Sequence, residues 1–121
     1  MLRTVPIAVL IVDDSSGFRV RARRCLEADG YEVVAEAADA ASALGAVRHR
    51  RPDVVLLDVE LPDMSGLTLA EILAREPDPP AIVLTSTHDA TDFGDRLRRS
   101  GARGFLPKAE LCGERLASLL S

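Results

Sequence analysis

The sequence predicts an α/β fold: a doubly wound sheet of five parallel strands with helices on both faces. Three observations lead there. Apolar runs rich in β-branched residues recur at 7–12, 54–57 and 81–84, as expected of strands covered on both faces. Stretches with apolar residues at helical spacing separate them. Strands alternating with helices of this length build a parallel sheet, because each crossover must return over one face.

The elements follow in order. The first strand, 7–12, leads into a helix over 16–29 with Phe18, Ala22, Cys25 and Leu26 on one face and Gly30 as its stop. A weaker strand fits 32–37. The second helix carries Ala40, Ala43, Leu44 and Val47 at i, i+3, i+4 and i+7, with Asp39 placed to cap it. After the strand at 54–57, a third helix over 66–76 presents Leu69, Ala70 and Leu73 and must end by Pro77. The strand at 81–84 is followed by a helix over 89–100, with Phe93 and Leu97 inward and Gly101 as its stop. A short strand at 104–106 and a helix over 110–120, with Leu116, Leu119 and Leu120 apolar, complete the pattern. At 121 residues the chain has room for one core, so 1–121 is expected to be a single domain.

Composition excludes several functions. A net charge of −4, with arginines spread among acidic residues, disfavours direct nucleic-acid binding, which depends on clustered basic residues. The apolar stretch at 5–12 is too short for a membrane span and ends in two aspartates, so a cytoplasmic protein is expected. Cys25 and Cys112 lack metal-ligand spacing and are expected to be free thiols packed as small apolar groups.

In a doubly wound sheet the site lies beyond the carboxyl ends of the strands. Asp13 and Asp14 follow the first strand, Asp58 the third, Thr85 and Ser86 the fourth, and Lys108 the fifth. Taken singly, each has an ordinary role as a cap, strand residue or solvated charge. As a set they would place three carboxylates together at a buried sheet edge. At ~4 Å and an effective dielectric near 20, each like-charge pair costs about 4 kcal/mol. A hard divalent cation with oxygen ligands removes that cost, and Mg²⁺ is the ion expected beside a phosphoryl group. Asp58 would then be a nucleophile toward a phosphate donor. Asp13 and Asp14 would hold the metal, Lys108 would add positive charge, and the Thr85 hydroxyl would bond a phosphoryl oxygen. The product would be an aspartyl phosphate.

These residues resemble the receiver domains of two-component response regulators, closest in pattern to receivers of the LuxR-type helix-turn-helix regulators. The resemblance covers essentially the whole chain. It rests on Val12-Asp13-Asp14, on Leu57-Asp58-Val-Glu-Leu-Pro62 and on Met64-Ser-Gly66. Leu84-Thr85-Ser86 and Gly101-Ala-Arg-Gly-Phe-Leu-Pro-Lys108 complete it. It implies the flavodoxin-like strand order 2-1-3-4-5 and a catalytic set of Asp58, Thr85 and Lys108. Asp58 would be the phosphorylation site, with Asp13, Asp14, Asp58 and the Glu60 carbonyl as Mg²⁺ ligands. Thr85 and Phe105 would be a switch pair acting on the surface of helix four, strand five and helix five. The implied partners are a sensor histidine kinase or phosphotransfer protein, an output protein or DNA-binding domain, and a second copy of the chain. The arginines of the first helix (Arg19, Arg21, Arg23, Arg24) match the kinase-docking helix, or a plain solvated face. The chain would act only on its own phosphorylation and dephosphorylation, as a stand-alone receiver or as part of a longer regulator.

Departures from the pattern also carry information. Ala109 follows Lys108 where many receivers have proline, so no cis peptide is expected there. Phe105 lacks the hydroxyl of the commoner tyrosine. Gly66 is expected to occupy a positive-φ turn. Three other functions compete with this one. A haloacid-dehalogenase-type phosphatase needs Asp-x-Asp and a substrate domain, and a flavin module needs a phosphate loop that Asp13-Asp14 would repel. A degenerate receiver serving only as an interaction module would keep the fold and lose phosphorylation.

Overall fold

The structure is a computed structural model that describes residues 5–88, 93–111 and 114–120. Strands β1 (Ala8–Val12), β2 (Glu32–Ala37), β3 (Val54–Asp58), β4 (Ala81–Ser86) and β5 (Gly104–Pro107) form one parallel sheet in the order β2-β1-β3-β4-β5. Helices α1 (Ser16–Ala28), α2 (Ala40–Arg50), α3 (Gly66–Leu73), α4 (Arg96–Arg99) and α5 (Glu114–Leu120) connect or follow them. The order reverses between β1 and β3, whose carboxyl ends therefore flank an open crevice.

Side-chain alternation divides the core in two. Val9, Ile11, Val54, Leu56, Val83 and Leu106 pack with Phe18, Ala22 and Leu26 of α1 and Leu116 of α5. Leu10, Val12, Val55, Leu57, Ile82 and Leu84 face α2 and α3 on the other side. Each fully buried leucine or valine contributes roughly 1.5–3 kcal/mol. Truncating a central one such as Leu56 therefore removes a sizeable part of a domain's stability.

Local signals set the helix ends. Ser15 Oγ accepts from Phe18 N at 3.2 Å and Asp39 Oδ1 from Ser42 N at 2.8 Å, which satisfies amides that open α1 and α2. Gly30 and Gly101 take φ values of 92° and 85°, a region that glycine enters without strain.

The structure changes several details of the sequence reading. α3 stops at Leu73, three residues short of the predicted end. A 3-10 turn at Lys108–Glu110 stands where the last helix was expected to begin. The predicted start of the fourth helix at Asp89 lies outside the described residues; of its described part only α4 is α-helical, and Gly94 at φ 57° breaks the helix before it. Cys25 is half-buried and disulfide-bonded, so the expectation of a free, buried thiol is wrong; Cys112 lies outside the described residues. The helical spacing revealed the face of α1 that Cys25 occupies and carried no information about its covalent state.

Two of the four arginines of α1 are tied down. Arg19 Nε and Arg23 Nε reach Glu36 of β2 at 3.0 and 2.7 Å, clamping α1 to the sheet edge. The Arg23 hydrogen bond, helped by Arg19, holds the Glu36 carboxyl below the ordinary glutamate range against the opposing effect of burial. A depressed carboxyl stabilises the fold fully above its unfolded value and loses that contribution as pH falls through its folded value. Glu36→Gln is expected to cost about 1 kcal/mol at neutral pH. Urea unfolding should show the gap between the two proteins closing as the medium is acidified below the ordinary glutamate range.

Candidate functional site

β1 and β3 deliver their carboxylates differently. Asp13 follows the last residue of β1 and is fully buried. Its Oδ1 accepts from Ser15 N at 2.9 Å, while Arg19 Nη1 donates to its carbonyl at 2.6 Å. Asp14 is exposed at the rim. Asp58 closes β3, opposite Thr85 of β4, and is 4% exposed, with Oδ1 accepting from Glu60 N at 3.1 Å. Carboxylate oxygens of Asp13, Asp14 and Asp58 lie within 4.8 Å of one another, as expected from the sequence.

Lys108 reaches back from the turn after β5 into this cluster. Its Nζ lies 2.6 Å from Asp13 Oδ2 and 3.3 Å from Asp58 Oδ2. Burial works against the Lys108 charge, but the two carboxylates outweigh it and hold the ammonium above the ordinary lysine range. Asp58 is raised as well, which for a carboxyl disfavours the charged form. Burial, reinforced by Asp13, pushes its carboxyl up despite the Glu60 amide and Lys108. Three carboxylates face one ammonium here, so the cluster is short of positive charge.

Among the described residues, the buried Thr85 Oγ1 has no hydrogen-bond partner, whereas the equally buried Asp13 Oδ2 is met by Lys108 Nζ alone. A buried polar atom without a partner costs on the order of 1–3 kcal/mol, so the Thr85 hydroxyl marks a place that a bound group would complete. Asp13 Oδ2 belongs to the acidic cluster, where a hard divalent cation fits the all-oxygen donor set. The Thr85 hydroxyl is a free donor one strand away.

The remaining candidates are placed as follows. Glu60 has its amide on Asp58, whereas its side chain is 65% exposed and approaches His88 Nδ1 at 3.4 Å. Phe105 sits half-buried on β5, with its ring 6.0 Å from that of Phe93. Gly66 departs from expectation: it opens α3 and is not among the positive-φ glycines. A Cβ there would lie 2.0 Å from the Asp58 carbonyl oxygen and 2.8 Å from Val59 Cα. The glycine therefore serves close backbone approach, with Gly66 N donating to Val59 O at 2.6 Å and holding α3 against the end of β3.

Sequence reasoning missed two contributors. His88 follows β4 in a loop with no sequence signal for a partner. Its backbone N donates to Ser86 Oγ at 3.0 Å, and its ring meets Phe93 edge-on at 6.4 Å. Asp63 accepts from Ala40 N at 2.8 Å and Ala41 N at 3.1 Å, bracing the β3–α3 loop against the start of α2. No local pattern announces a cap supplied from 23 residues away.

Comparison with known proteins agrees with this geometry. The response regulator receiver domain family matches residues 9–119. The chain is 39% identical over 109 residues to the nitrate/nitrite response regulator NarP of Escherichia coli, covering 89% of this chain and 51% of that protein. The receiver domain of the putative response regulator NarL of Mycobacterium tuberculosis superposes with a TM-score of 0.84 at 31% identity, over 96% of this chain and 98% of that one. A LuxR-family response regulator of Aurantimonas gives a TM-score of 0.84 at 30% identity, over 96% and 86%. The chain spans between 26% and 52% of the length of the curated relatives it matches. It belongs to the receiver domains of two-component response regulators, with the five-stranded 2-1-3-4-5 fold of that family.

The charge imbalance has a measurable consequence. Because the folded protein disfavours ionised Asp58, Asp58→Asn should stabilise the metal-free chain by about 1 kcal/mol, or about 4 °C in Tm. Thermal unfolding in EDTA tests this, and a loss of stability would mean that Lys108 already balances the cluster.

Proposed function

We propose that residues 1–121 form one receiver domain whose Asp58 accepts a phosphoryl group and whose α4–β5–α5 surface reports its presence. The observation that carries this reading is the charge-deficient cluster of Asp13, Asp14 and Asp58 beside Lys108, with the unpartnered Thr85 hydroxyl next to it. Asp13, Asp14, Asp58 and the Glu60 carbonyl would hold Mg²⁺, which when bound neutralises the carboxylates and the oxygens of an incoming donor. One Asp58 carboxylate oxygen forms the new bond to phosphorus while the bond from phosphorus to the donor's leaving group breaks. Lys108 meets the charge on the transferred group, and Thr85 donates to one of its oxygens. Water later cleaves the aspartyl phosphate and restores Asp58.

Thr85 and Phe105 form the switch. They lie on neighbouring strands, and Phe105 borders Phe93 ahead of α4. Thr85 moving toward a phosphoryl group would vacate space for the Phe105 ring, which no phenolic hydroxyl holds outward. Asp95, Arg96 and Arg99 are exposed on the output side, and Arg96 Nη2 donates to Thr68 Oγ1 of α3 at 3.4 Å. Asp92 lies outside the described residues, as does the side chain of Glu114. The phosphodonor is a sensor histidine kinase or phosphotransfer protein acting in the cytoplasm. The output partner is a protein, a DNA-binding domain of a longer chain, or a second copy. No described helix is long and apolar enough to cross a membrane.

Incubation with acetyl phosphate and Mg²⁺ should add one phosphoryl group by intact mass. The addition should be absent in Asp58→Asn and in EDTA. A wild-type chain that stays unmodified with several donors would favour the phosphorylation-independent interaction module instead.

A further inference from the structure

Lys108 is held by more than carboxylates. Its Nζ lies 4.7 Å from the centroid of the Phe18 ring, close enough for a cation–π contact. Phe18 belongs to the first turn of α1, where the Ser15 cap fixes its backbone, and it is 3% exposed within the core between the sheet and α1. Arg21 Cζ stands 5.5 Å from the same ring, so the ring attracts two cations. A leucine in this part of the core would offer no negative face to an ammonium.

The contact matters because Lys108's other partners are the groups that a metal would claim. In the metal-free chain Asp13 and Asp58 hold the ammonium. A divalent cation on those carboxylates cancels their pull and repels Lys108 as well. The ring quadrupole is not neutralised by the metal. We propose that Phe18 is a positioning residue for phosphoryl transfer: its ring face keeps the Lys108 ammonium at the strand ends once the carboxylates are committed to metal. Lys108 is then in place for the phosphoryl group without being drawn out of solvent at each turnover. This inference rests on the receiver reading above and adds to it the way the lysine is retained.

Two readouts separate the contact from the chemistry. The first is the ring current of Phe18 on the Lys108 ε-methylene protons in selectively labelled protein. The expected upfield shift is present in the metal-free chain, persists with Mg²⁺ and with Mg²⁺ plus beryllofluoride, and disappears in Phe18→Leu. The second replaces Phe18 by mono-, di- and trifluorophenylalanine, which drain the ring quadrupole while nearly preserving its shape, so folding is not at issue. The rate constant for phosphorylation by acetyl phosphate should fall stepwise through the series, by about three- to tenfold at trifluorophenylalanine. A flat series, or a ring-current shift that vanishes when Mg²⁺ is added, overturns the proposal. A wild-type chain that never takes a phosphoryl group overturns the receiver reading instead, and the ring-current measurement still decides whether the contact survives metal.

Discussion

Negative charge concentrated at the buried ends of β1 and β3 is the constraint around which the site is organised. Asp13 and Asp58 are almost wholly withdrawn from water, and Asp14 adds a third carboxylate at the rim. Water cannot dissipate their repulsion, so the chain sends partners to them: Ser15 N to Asp13, Glu60 N to Asp58, and Lys108 to both. These contacts fall short of neutrality, and the Asp58 carboxyl is raised by its burial, reinforced by the neighbouring Asp13. A site balanced within the protein would have little affinity for a metal or a phosphoryl group. The imbalance leaves a place for both.

The scaffold makes this tolerable by rigid placement. The parallel sheet sets Asp58 opposite Thr85, and the reversal of strand order opens the crevice beside Asp13. α3 abuts the end of β3 so closely that only glycine fits at position 66. Asp63 braces the intervening loop from α2. Displacing any of these would shift Asp58 relative to Asp13, and the balance of attraction and repulsion depends on a few ångströms.

The strands and the carboxylate set were legible in the sequence because both follow simple rules. Two-sided burial produces unbroken apolar runs such as Val54 to Leu57, and strand-end residues fall next to them. Gly66 was legible as a necessary glycine, but the reason was not: φ freedom and lack of a Cβ look alike in a sequence, and the structure shows that the second is what counts. The bonded state of Cys25, the cap from Asp63 and the contacts of His88 depend on residues distant in the chain or on loop paths that local spacing does not encode. Phe18 was read as a core residue of α1, and it is one. Its second role, facing Lys108 from 90 residues away, emerges only when β5 is laid beside β4.

The central claim is that the strand-end cluster is short of positive charge and is completed by a divalent cation. Thermal unfolding across a Mg²⁺ titration tests it most directly, since an ion that binds only the folded chain raises Tm with its concentration. Wild-type Tm should climb with Mg²⁺, while Asp13→Asn, which removes a ligand and part of the repulsion, should begin higher in EDTA and respond weakly. A wild-type Tm that stays flat into the millimolar range would contradict the account.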